Sequence, residues 1–345
     1  MAPWAAISTD VNGSIRPCCR FNQPYMQVDH IMPFMKDGTL DELWNSEPLK
    51  KLRQTFIDGK TPIECRQCVK EESSGLTSYR QKMNRFLEKY PHQKERYDFT
   101  STESPPPFYI DLKLTNVCNL KCRMCSPVAS SLIQKEQEKE FGFKGDDYWH
   151  ETKIVKTYNE DSFKKWLPNI DYIVFTGGEP FVGKENKDLL RLIIDEGHSH
   201  KIDLKFNTNG MIMPQSIINM LLKFRNVNLA FSVDDIDKRL NYHRHGADWE
   251  LIKKNIQKVP RNENISIAIY TTVNNYNNLG YDFVYEPAFL SPRCLNPLIK
   301  ESLIEKYQGK KGYEKIIKYI INPDMDRTTD FFGQIRKLDG IRKEN

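Results

Sequence analysis

Phe108-Tyr-Ile-Asp-Leu-Lys-Leu114 runs through Thr-Asn-Val into Cys118-Asn-Leu-Lys-Cys122-Arg-Met-Cys125. An apolar run of strand length thus ends in a loop carrying C-x3-C-x2-C. The two short gaps let one loop curl so that three sulfurs converge on a single centre. Three thiolates can hold three corners of a cubane iron–sulfur cluster and leave the fourth iron without a protein ligand. Such clusters normally take four cysteines, so a compact set of three implies an iron open to a small molecule. The competing reading is zinc with a fourth ligand from elsewhere, since zinc sites are usually tetrahedral.

Downstream of this loop, short apolar runs alternate with helical stretches. Residues 109–114, 172–175, 202–206, 227–233 and 265–273 read as buried strands, and 189–194, 217–224 and 249–259 as helices between them. The alternation predicts a parallel sheet with helices outside. Folds of that kind carry chemistry just after strand C-termini. The cysteine loop, Thr176-Gly177-Gly178-Glu179-Pro180 and Asn207-Thr208-Asn209-Gly210 stand there, and Ser232-Val233-Asp234 lies at a strand end. A sixth strand at 281–285 follows the fifth after only about seven residues, too few for the usual crossover helix. The tail from residue 298 reads as one or two helices.

In this order the elements resemble the radical S-adenosylmethionine (radical SAM) superfamily, and residues 1–97 resemble its SPASM/twitch auxiliary-cluster module, here placed before the catalytic part. The resemblance implies an α/β fold: a partial (β/α)6, TIM-like barrel with a small N-terminal α+β cluster-binding domain. It divides the chain into 1–97 (auxiliary cluster), 98–107 (linker, ending in Pro105-Pro106-Pro107), 108–290 (radical SAM core) and 291–345 (helical tail). It also implies a [4Fe-4S] cluster on Cys118, Cys122 and Cys125, with the amine and carboxylate of SAM on the open iron. Reduction would then break the sulfonium C–S bond, giving a 5′-deoxyadenosyl radical that takes a substrate hydrogen.

By the same resemblance, Met124 lies near adenine, where a thioether can pack. Gly177 and Gly178 let the backbone approach the amino-acid end of SAM, Glu179 helps to bind its amine and Pro180 stiffens the turn. Thr208 and Asn209 belong to the cofactor-binding set. Ser232 and Asp234 share a strand face and face the ribose hydroxyls, and Asn274 is a further contact. Taken alone, GGEP is a strand-to-helix turn, and Ser232 with Asp234 a helix N-cap region.

Before the core, residues 5–20 read as a hairpin turning at Asn12-Gly13, a favoured two-residue turn. Residues 40–57 have helical spacing, and a polar helix runs through Tyr79 and Phe86. Cys18-Cys19 and Cys65-x2-Cys68 resemble the twitch pattern for an auxiliary Fe–S cluster, with structural zinc as the alternative. Adjacent Cys18 and Cys19 diverge if they lie on a strand. The family usually has a cysteine just before the Pro-Trp that stands here as Pro3-Trp4, so a ligand upstream of Met1 is expected in place of Cys19. Cys294 reads as an unreactive thiol, His243 and His245 as solvent-facing, and 134–140 as a solvated helix face.

Lys and Arg total 51 against 46 Asp and Glu, a net of +5 spread along the chain. That is too mild to argue for nucleic acid or a membrane surface. No apolar stretch reaches the ~18 residues of a membrane span, and early charges exclude a secretory signal. Cysteines in metal-like clusters fit a reducing cytoplasm. The expected partners are a peptide or small-molecule substrate and a reductant such as flavodoxin or ferredoxin. The rival reading is a scaffold that keeps its clusters without turnover.

Overall fold

The N-terminal hairpin pairs β1 (Ala6–Thr9) antiparallel with β2 (Ile15–Arg16), and β1 also runs parallel to β3 (Tyr109–Leu112). After β3 come β4 (Lys121–Cys122), β5 (Tyr172–Phe175), β6 (Asp203–Thr208), β7 (Asn226–Ser232), β8 (Arg244–His245), β9 (Ile265–Tyr270), β10 (Thr272–Val273) and β11 (Asp282–Phe283). The seven-stranded main sheet has the order β2-β1-β3-β5-β6-β7-β9, parallel throughout from β1 to β9. This computed structural model describes residues 1–21, 32–33, 37–142, 160–273 and 282–283. Asn274, Cys294 and the tail 291–345 lie outside the described residues.

Alternation along the strands gives the sheet two different faces. Ile110, Leu112, Ile173, Phe175, Leu204, Phe206, Val227, Leu229 and Phe231 are buried in one core. Phe163 and Trp166 join it from the Glu160–Trp166 helix, Leu189, Leu190 and Ile193 from Lys184–Asp195, and Ile217, Ile218 and Leu221 from Gln215–Leu221. Phe175 and Phe206 stack at 4.6 Å across β5 and β6. Each such side chain contributes roughly 1.5–3 kcal/mol by leaving water. The opposite, inner face carries Asp111, Val174, Lys205, Asn228 and Ser266 in register. Parallel strands are normally apolar on both faces, so a polar inner face has to serve something other than packing.

The N-terminal region closes the lower part of that face. The Tyr79–Leu87 helix starts at a capping box between Ser78 and Gln81 and sets Phe86 against Tyr109 (5.4 Å) and Tyr172 (4.7 Å), which stack on each other at 5.3 Å. Residues 101–105 are tied down along their length. Ser101 O accepts from Trp4 Nε1 (2.7 Å), Ser104 Oγ donates to Trp4 O (2.7 Å) and Pro105 O accepts from Trp44 Nε1 (2.8 Å). Arg53, fully buried, donates to Pro3 O, Trp44 O, Thr102 O and Asn45 Oδ1.

Four expectations change. The hairpin loop is wider than a two-residue turn: Asp10 N donates to Ser14 O (3.0 Å) and Asn12 Oδ1 takes Ser14 N (3.0 Å). Residues 40–57 form two helices, Leu40–Trp44 and Glu47–Ile57, because Pro48 has no N–H for a continuous helix and suits a helix start. The fifth strand run breaks at Thr271, and of the expected sixth the described residues Asp282–Phe283 pair parallel to β10. His243 is buried at the end of the Asp237–His243 helix instead of facing solvent.

Candidate functional site

The cysteine loop and GGEP are joined along their backbones. Beyond β3 and β5 the pairing continues as Thr176 N to Leu112 O (3.0 Å), Gly178 N to Thr115 O (2.9 Å) and Glu179 N to Val117 O (2.9 Å). A Cβ on Gly178 would fall 2.2 Å from Val117 O and 2.6 Å from Asn116 C, and Gly177 sits at φ +109 with Thr115 O 2.7 Å from its Cβ position. The glycines are therefore required by the loop that leads into Cys118, beyond any need of a cofactor.

Glu179 ties in the third element. Its Oε1 accepts from Thr208 Oγ1 (2.6 Å) and Phe181 N (3.4 Å), and its Oε2 from Asn209 N (2.7 Å). Asn209 Nδ2 in turn donates to Asn119 Oδ1 (2.9 Å), inside the cysteine loop. Burial pushes the Glu179 carboxyl up to about 7 despite these donors. Pro180 O accepts from Asn186 Nδ2 (2.9 Å), which fixes the turn into the following helix.

The far side of the loop is held by residues 242–245. β4 pairs antiparallel with β8, Cys122 opposite Arg244. Arg123 N donates to His243 O (2.9 Å), Arg123 Nε to Tyr242 O (2.8 Å), and its guanidinium lies 3.9 Å from the Tyr242 ring centroid. Arg244 Nη1 approaches Cys122 Sγ at 3.9 Å, while Arg244 Nε pairs with Asp234 Oδ2 at 2.7 Å. Burial works against the Arg244 charge, but Asp234 and the Cys122 and Cys125 thiols leave its pKa raised. Asp234 Oδ1 accepts from Thr272 N (2.8 Å), so this carboxylate is engaged on both oxygens. Ser232 ends β7 half-buried, and Met124 packs against the core beside Cys118 and Cys125. Arg244 and the Glu179–Thr208 bond escaped sequence reasoning. The only available signal was a basic residue between two histidines.

Sulfurs gather at two places. Burial, with Cys122 and Cys118 alongside, pushes the Cys125 thiol up to about 12, and burial raises Cys118 as well. In the N-terminal region a pocket of ≈ 100 Å³ is lined by Cys18, Cys65, Cys68, Tyr79 and Arg80 among others. Cys65 is pushed up to about 12 by burial and the neighbouring Cys68, and Cys18 is raised by burial and its neighbouring thiols. Cys19 turns elsewhere, toward Asp111 and the Tyr79 hydroxyl.

Against known families, residues 112–278 match the radical SAM superfamily and residues 1–69 match SPASM, an iron–sulfur cluster-binding domain. The chain belongs to the radical SAM superfamily. It is 26% identical over 152 residues to the GTP 3′,8-cyclase of Clostridium botulinum (strain Okra / Type B1), covering 44% of this chain and 42% of that protein. To the GTP 3′,8-cyclase of Clostridium acetobutylicum it is 25% identical over 222 residues, 60% of this chain and 59% of that one. The chain thus spans about half the length of these relatives. Among solved structures, Streptococcus suis SuiB bound to precursor peptide SuiA aligns over 82% of this chain and 61% of its own, at 13% identity and a TM-score of 0.36.

The radical SAM residues fit the cofactor of the superfamily in donor chemistry: three neighbouring thiols on one loop, backed by a glycine cradle with no room for side chains. Among the described residues, no three His, Cys, Asp or Glu side chains close to the spacing of a single metal ion. Among the described residues no helix is long and apolar enough to cross a membrane.

Proposed function

We propose that this radical SAM enzyme holds a [4Fe-4S] cluster on Cys118, Cys122 and Cys125, binds SAM at its open iron, and abstracts a hydrogen from a peptide lying on the inner face of the sheet. The observation that carries the reading is the single hydrogen-bonded unit formed by the cysteine loop, GGEP and Thr208-Asn209. When bound and reduced, the cluster with SAM supplies the power to break an unactivated C–H bond.

The chain's own residues position that chemistry. The Gly178 and Glu179 N–H groups are used on Thr115 and Val117, so GGEP offers the SAM amine its backbone oxygens. Glu179, fixed by Thr208 and Asn209, holds this element rigid. Ser232 is the candidate for the ribose. Asp234 is better assigned to holding Arg244 than to the ribose, because its carboxylate is already engaged. Met124 packs on the adenine side, and Asn274 stays a candidate contact. Cys18, Cys65 and Cys68 hold an auxiliary Fe–S cluster in the N-terminal module; the match of residues 1–69 to an iron–sulfur cluster-binding domain supports this over zinc.

The domain division at 98–107 is kept as a division of roles, with strand pairing running across it. Clustered thiols require a reducing compartment, so we place the enzyme in the cytoplasm, reduced by a flavodoxin or ferredoxin. A small-molecule substrate is the second reading, prompted by the two relatives named GTP 3′,8-cyclase.

Anaerobic reconstitution, iron and sulfide counting and a SAM-cleavage assay with dithionite test the proposal. About eight irons per chain with 5′-deoxyadenosine formed is the expected result. Cys122→Ala should lose cleavage and about half the iron; cleavage retained by that variant would refute the ligand assignment. Iron without cleavage, with and without candidate substrates, would favour the scaffold reading.

A further inference from the structure

Among the described residues, the inner face carries one cation, Lys205, with no carboxylate beside it. Strand alternation puts Asp203, Lys205 and Asn207 on this face of β6, with Lys205 in register with Val174 on one side and Asn228 on the other. The neighbouring charged groups have ion-pair or hydrogen-bond partners. Asp203 accepts from Tyr90 Oη (2.6 Å), Arg225 Nε (2.7 Å) and Asn226 Nδ2 (2.8 Å). Asp111 accepts from Ser8 Oγ (3.2 Å) and Thr176 Oγ1 (3.1 Å). Arg16 and Lys113 both pair with Asp10.

Lys205 Nζ bonds to Tyr270 Oη (3.2 Å) and stands 4.9 Å from the centroid of that ring, with no carboxylate within salt-bridge distance among the described residues. Two residues further along, Asn207 Oδ1 is buried without a hydrogen-bond partner among the described residues. One strand face therefore presents an unmatched cation and an unmatched acceptor about 6.6 Å apart along the strand, directly below the Thr208-Asn209 element.

Together they suit an acidic peptide. We infer that Lys205 binds a carboxylate of the substrate, an Asp or Glu side chain or a C-terminus, while Asn207 Oδ1 accepts a substrate N–H. This rests on the reading that the inner face is the substrate face of a radical SAM enzyme. A phosphate would call for several convergent donors or a guanidinium fork, whereas this row offers one point charge between Val174 and Asn228. Tyr270 holds the ammonium near the sheet and lets it turn to an incoming anion.

The test uses the reconstituted, SAM-bound enzyme with acetyl-Gly-Glu-Gly-amide, its neutral isostere acetyl-Gly-Gln-Gly-amide and inorganic phosphate, each titrated by ligand-observed NMR. The wild type should prefer the Glu peptide by about fivefold, the scale of a solvent-accessible charge pair. Lys205→Met should bring the ratio to about one, Lys205→Arg should keep it, and Asn207→Ala should weaken both peptides equally. Thermal melts of each variant check the fold. Equal affinities in the wild type, no measurable binding of either peptide, or a preference surviving in Lys205→Met would overturn the inference. Lys205-dependent phosphate binding tighter than the Glu peptide would replace the carboxylate with a phosphate ester. SAM cleavage by the wild type is scored separately: its absence would sink the enzymatic reading, while the peptide ratio still decides Lys205.

Discussion

The Asp234–Arg244 pair yields the sharpest stability prediction. The Asp234 side chain is 0% exposed and that of Arg244 11%. Arg244→Met keeps an apolar stem of similar length but leaves the Asp234 charge buried without its guanidinium. Breaking a buried pair from one side costs about 3–5 kcal/mol. For 345 residues that is roughly 4–7 °C in melting temperature, at about 1.4 °C per kcal/mol. Asp234→Leu should cost a similar amount by stranding the guanidinium against Cys122. The double variant removes both charges and should recover to within about 1–2 kcal/mol of wild type, because a buried pair is often replaceable by apolar groups. Urea or thermal unfolding of the reduced apoprotein, followed by circular dichroism, reads all four corners of the cycle. The expected coupling is about 3 kcal/mol or more. If the double variant loses the plain sum of the two singles, the pair is not the coupled buried unit described here.

Gly178→Ala must push the Cys118 loop away from GGEP; it should cost about 3 kcal/mol and at least halve iron uptake, and normal uptake would show the loops can separate freely. Glu179 has a folded pKa of about 7 against 4.5 for the free group, so its stabilising contribution is present below pH 4.5 and lost as pH rises through 7. Relative to Glu179→Gln, the wild-type apoprotein should lose about 2 kcal/mol between pH 5 and 7.5; parallel melting curves would contradict this. For the auxiliary site, Cys18→Ser, Cys65→Ser and Cys68→Ser should each shed about four irons, while Cys19→Ser should keep them. Equal loss from all four would place Cys19 in the ligand set.

Much of the sheet was legible because strands and helices announce themselves by local periodicity. The Tyr172–Phe175 strand lies where its apolar run ends, and β6 and β7 shift by one or two residues at their boundaries. Side-chain partners were less legible. GGEP suggests cofactor contact, yet Gly177 answers first to the Thr115 carbonyl and Gly178 to that of Val117, contacts across 62 and 61 positions that no local pattern encodes. Strand alternation puts Ser232 and Asp234 on one face and says nothing about an arginine arriving from a later segment to pair with Asp234. The break at Asn45–Ser46 was signalled by Pro48, which apolar spacing overrode.

The parallel pairing of β1 with β3 also sets an order of events during synthesis. Ser8 meets Asp111 across 103 positions of sequence, so the first strand made must wait for its neighbour through about 5–20 s of translation at ordinary ribosome speeds. During that interval Cys18, Cys65 and Cys68 have all left the ribosome, yet the sheet that supports their hairpin is incomplete. Metallation of the N-terminal site should therefore trail the emergence of β3, and a ribosome stalled before residue 109 should display these thiols accessible to alkylation.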